Sequence, residues 1–88
     1  MSDTEVIKTK ADYLSDVTTQ LKEMRHYAQT NTEMLSTHWL AFDQGEYKDE
    51  EYAARIDTLL NKQGQLLDDI DQTIQDLEIA INNAAQGN

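Results

Sequence analysis

Read in steps of seven from Ile7, the chain returns an apolar residue at Leu14, Leu21, Ala28, Leu35 and Phe42. Val17 and Met24 fill two of the intermediate positions, while Lys10, Asn31 and His38 occupy the others. A seven-residue recurrence is two turns of α-helix, so these positions share one side of it. The seam is apolar in its first half and polar later, and Thr30-Asn31-Thr32-Glu33 has the Ser/Thr-x-x-Glu form of a capping box. The pattern predicts a helix over about residues 4–41, bent or loosened near Asn31.

A second segment is more regular. Ile56, Leu60, Gln63, Leu67, Ile70, Ile74, Leu77, Ile81 and Ala84 follow spacings of four and three without a slip. This predicts one helix over about residues 47–85. Leu59, Leu66 and Ala80 lie beside the stripe and widen the apolar face beyond the seam of a two-stranded coil. One partner helix would leave part of that face wet.

Between the two segments, Asp43 and Gly45 are turn residues, and Glu46, Asp49, Glu50 and Glu51 crowd the start of the next helix. The helix dipole favours negative side chains there. A turn over about residues 42–46 is short, so the helices are expected to run antiparallel as an αα-hairpin. Each arm is then about 55 to 60 Å long at a rise of 1.5 Å per residue. The expected fold is all-α: residues 1–88 form a single helical-hairpin domain that associates into a four-helix bundle.

Composition sharpens this picture. Eighty-eight residues bury only about two thirds of the surface that the unfolded chain exposes, so a partner that extends the core matters. There is no Cys for a disulfide, a thiolate nucleophile or a zinc-thiolate site, and no Pro to break a helix. No run approaches the roughly 20 apolar residues of a membrane span, and Met1 to Lys10 has no apolar signal-peptide centre. The expected location is cytoplasmic, or exported by a route that needs no cleaved Sec signal. The net charge is −10, of which residues 1–44 carry −3 and residues 45–88 carry −7. Such a chain is not expected to bind nucleic acid or anionic membrane, which need cationic patches.

Candidate chemistry adds little. His26 and His38 stand twelve residues apart, about 18 Å along one straight helix, too far to share a metal ion. Asp68, Asp69 and Asp71 are dense, but a straight helix fans them apart and no glycine-containing ligand loop accompanies them. There is no Gly-rich phosphate loop, and a hairpin offers no cleft for a carboxylate pair. No catalytic, cofactor or metal residue is assigned, and the chain is expected to be non-enzymatic.

The residues expected to carry function are apolar. Trp39 and Phe42, near the end of the first helix, are placed to pack onto Tyr47, Tyr52 and Ile56, closing the hairpin or offering an aromatic anchor to a partner. Leu59, Leu66 and Ile70 are the candidates for contact along the second helix.

Two long helices with a Trp at the central bend resemble the WXG proteins, small helical-hairpin substrates and helper proteins of type VII secretion. The resemblance spans nearly the whole chain and is one of layout. Trp39-Leu40-Ala41 stands where the family has Trp-x-Gly, with Gly45 four residues beyond Ala41. The one Tyr-x-x-x-acid match to the family's export signal is Tyr47 to Glu51, at the start of the second helix rather than after it. The resemblance implies a secretion substrate, or a targeting partner that binds the N-terminal helices of an LXG toxin. Two other classes remain open from the residues: a chaperone or adaptor of another secretion or assembly system, and an acidic inhibitor such as an antitoxin or DNA mimic. In each case the expected partner is a helical protein or a second copy, as a homo- or heterodimer.

Overall fold

The computed structural model describes residues 9–85. Two helices, α1 (Lys10–Asp43, 34 residues) and α2 (Glu50–Ala85, 36 residues), pack against each other as an antiparallel hairpin 61 Å long. Among the described residues there is no strand.

Local chemistry sets the helix ends. Thr9 caps α1: its hydroxyl oxygen accepts the Asp12 N–H at 3.0 Å. Residues 1–8, with Ile7 and the expected start near residue 4, lie outside the described residues. Helix α1 runs two residues beyond the expected residue 41, and α2 starts at Glu50 rather than at Tyr47. Asp49 explains the later start, since its carboxylate accepts the Tyr52 N–H at 3.1 Å and its carbonyl accepts from Ala53. The capping box expected at Thr30 does not form. That hydroxyl donates to the His26 carbonyl at 3.2 Å, and α1 continues through Asn31.

Gly45 is a packing requirement of the turn. The Gln44 and Gly45 N–H groups both donate to the Leu40 carbonyl, which folds the chain back over the end of α1. A Cβ at Gly45 would lie 2.9 Å from the Ala41 Cα and carbonyl oxygen. Across the turn the Asp49 N–H donates to the Phe42 carbonyl at 2.8 Å.

The seam of α2 follows the expected stripe. Ile70 and Ile74 are buried, and Ile56, Leu60, Gln63, Leu67, Leu77 and Ile81 are half-buried, while Ala84 is exposed. The seam of α1 does not follow its expected course. Leu14, Leu21, Ala28, Leu35 and Phe42 do face inward, but the second line of contact is Ala11, Thr18, Arg25, Thr32 and Trp39. Met24, Asn31 and His38, expected in the seam, are exposed, while Val17 is half-buried like Leu14 and Leu21. The helix is turned by about 50° from the expected orientation at 100° per residue.

The cause is complementarity with α2, whose seam is mostly large and aliphatic. Small residues on α1 accommodate it, and Thr18 can be buried because its hydroxyl donates to the Leu14 carbonyl at 2.8 Å. Thr32 does the same to Ala28 at 2.9 Å. Arg25 reaches Asp71 at 2.6 Å, and beside this pair Lys22 meets Glu78 at 3.0 Å. Both pairs are partly solvated, and such pairs stabilise by only about 0.2 to 1 kcal/mol each.

The resulting core is thin. Its buried apolar members are Ala28, Ala53, Ile70 and Ile74. The surface measures 6636 Å², against about 5300 Å² for a compact globular chain of this mass. Gly64 offers an easy gain, since nothing lies within 4 Å of a Cβ built there. Gly64→Ala is expected to stabilise by about 1 kcal/mol and to raise the melting temperature by roughly 4 to 8 °C. A thermal melt followed by circular dichroism tests this, and an unchanged or lowered midpoint contradicts it.

Candidate interaction face

Helical arithmetic sorts the residues beside the seam into two flanks. On α1, Val17, Met24, Asn31 and His38 lie about 80° to one side of the seam, and Ser15, Lys22, Gln29, Ser36 and Asp43 about 80° to the other. On α2 the corresponding rows are Leu59, Leu66, Thr73 and Ala80, and Asp57, Gly64, Asp71 and Glu78. Observed contacts show which rows adjoin. The Lys22–Glu78 pair joins the two polar rows, and Arg25, from the inward line of α1, reaches Asp71 on the same side. A shallow trough of about 320 Å³, lined by Asn31, Met34, His38, Leu59, Lys62 and Gln63 among others, joins the apolar ones.

The hairpin therefore has a charged flank and an apolar flank. Between Val17 and His38 on α1, and between Leu59 and Ala80 on α2, the two apolar rows contain no carboxylate, Lys or Arg. Leu59 is 47% exposed, Leu66 45%, Met24 52% and Met34 54%. Tyr13, Tyr27 and Met34 form the outer edge on α1, all exposed. A run of exposed apolar side chains along one side of a small protein is the usual mark of an interaction surface.

The expected contact residues separate into three environments. Leu59 and Leu66 lie on the open apolar flank. Ile70, expected to contact a partner, is instead a core residue at 5% exposure, because it belongs to the stripe that faces α1. At the tip, Trp39 is half-buried in the seam and shares a trough on the charged flank with Ala53, Ala54 and Asp57. Phe42 packs on Tyr52 with ring centroids 5.6 Å apart. Tyr47, expected within this aromatic cluster, is 68% exposed in the connection.

Sequence reasoning passed over Met24 and Met34 as surface residues, and the signal was available. Tyr13, Tyr27 and Met34 recur at seven-residue multiples, one helical step outside the row that holds Met24. His26 is exposed with its ring in an edge-type contact with Tyr27, and exposed His38 borders the trough. Among the described residues no group of three or more His, Cys, Asp or Glu comes together to hold a metal ion. Nor is any described helix long and apolar enough to cross a membrane. The chain matches no protein family, no curated protein and no solved structure.

Proposed function

We propose that this chain is a non-catalytic helical interaction protein of a type VII-like secretion system, which receives the helices of a toxin or secretion substrate on its apolar flank. The observation that carries the reading is the open row of Leu59 and Leu66 beside Met24 and Met34. Among the described residues no further layer covers that row, and added helices would complete a four-helix bundle. The secretion context draws on the hairpin layout and on Trp39 near the bend, features shared with WXG proteins. In this role the protein meets its partner in the cytoplasm, and the pair is exported together or the partner is handed on.

The test uses a tagged chain in its native host. The expected result is recovery of an identified secretion component or toxin with a helical N-terminal segment, which then binds the purified chain in a two-component assay. Leu66→Asp should abolish that binding while leaving helicity intact, because Leu66 lies outside the hairpin's own core. Recovery of a nuclease bound through the charged flank, indifferent to Leu66→Asp, would replace this reading with an inhibitor.

A further inference from the structure

The apolar flank is bordered on α2 by an outer row at seven-residue spacing: Arg55, Lys62, Asp69, Asp76. Two positive residues are followed by two negative ones, and all four are exposed. This order is self-complementary. Turned end for end about a point between Lys62 and Asp69, the row matches each positive residue with a negative one.

Helix α1 has its own centre at the same height. In the row of Met24, Asn31 and His38, reversal about Asn31 exchanges Met24 with His38 and leaves Asn31 facing itself. One step outward, the same reversal exchanges Tyr27 with Met34. Leu66 plays the equivalent part on α2, between Leu59 and Thr73. The pairings Arg25–Asp71 and Phe42–Tyr52 fix the register of the hairpin and set Asn31 within a helical turn of Leu66. One axis across both helices therefore serves both rows.

We propose that the occupant of the apolar flank in the isolated protein is a second copy of this chain, laid face to face and antiparallel about that two-fold axis. The inference rests on reading this flank as an interface, and it deepens that reading by naming the partner and the register. Helix α1 then lies over its own symmetry mate and α2 over its own, which is an isologous contact. Leu66 meets Leu66, Lys62 meets Asp69 of the other copy, and Arg55 meets its Asp76. Asn31 meets Asn31 at the centre, where a paired polar residue fixes register at some cost in affinity. Two helices side by side, each about 10 Å in diameter, over a 61 Å length offer more than the roughly 800 Å² per partner that a stable interface takes.

Analytical ultracentrifugation of the purified full chain and three variants tests this, with circular dichroism to show that each variant keeps its helices. The wild type should be a dimer at micromolar concentration. Lys62→Asp places like charges in two symmetric pairs and should weaken the dimer about tenfold. Lys62→Asp combined with Asp69→Lys swaps the pair within one chain and should restore wild-type association. Leu66→Asp should leave a monomer. A wild-type chain that stays monomeric at high micromolar concentration overturns self-pairing, and the proposed function is then judged by the host partner alone. A dimer indifferent to Lys62→Asp, or not restored by the double variant, overturns this register.

Discussion

Shortening Ile74 to Ala should remove about 2 to 5 kcal/mol of stability. The reason lies in the economy of the core: Ile74 is 2% exposed, the most buried apolar residue described, and Ala28, Ala53 and Ile70 are the other buried apolar residues described. A chain of this length has on the order of 4 to 13 kcal/mol in total, so the loss is a large fraction of the whole. Chemical denaturation monitored by circular dichroism should show a sharply lowered midpoint. Ile79→Ala is the matched control, because Ile79 is 59% exposed on the outer side of the same helix and should change stability by no more than about 0.5 kcal/mol. Equal losses at the two positions would mean that the seam is not where stability resides.

The second large effect is expected at Trp39. A fully buried Trp replaced by Ala costs about 3 to 5 kcal/mol, and Trp39 is half-buried, so a loss of about 2 to 3 kcal/mol is expected. Its ring lines a trough together with Ala53 and Ala54, and removing it would widen a gap that neither alanine can fill. Tyr47→Ala, by contrast, should change stability by only a few tenths of a kcal/mol. Denaturation curves for the two variants separate these outcomes. If Trp39→Ala melts like the wild type and only partner binding is lost, Trp39 is a recognition residue rather than part of the seam.

Helix α2 was legible because its large aliphatic residues coincide with its buried ones. From Ile56 to Ile81 every inward position except Gln63 is Ile or Leu. Helix α1 misleads for a physical reason. Where one helix supplies bulk, the other must supply room, and room comes from Ala28, Thr18 and Thr32, two of them polar by composition. Val17 and Met24 looked like seam residues because they are apolar, yet Met24 belongs to the open flank. Thr18 is polar and outside the expected stripe, and its bond to the Leu14 carbonyl makes its burial tolerable.

The open apolar flank was half visible. Leu59 and Leu66 stood beside a complete stripe and had to be lateral, whichever way α1 faced. Ile70 could be assigned to the core only once the orientation of the helix pair was known. Tyr47 could be separated from the tip cluster only by knowing that Asp49 delays the start of α2. The charge order Arg55, Lys62, Asp69, Asp76 was present in the sequence from the start. It acquires meaning only when that row is seen to border an uncovered surface.

The seven-residue recurrence on both arms also governs how the molecule can change length. Inserting one residue into either helix would swing everything beyond it by about 100° and carry the inward row out to solvent. Removing one full heptad from each arm at the same height would instead bring every inward residue back to an inward position. The turn, with Gly45 pressed against Ala41, would be untouched. Variation in length is thus compatible with this architecture in matched steps of two helical turns per arm, and single-residue insertions or deletions are compatible only outside the paired helices.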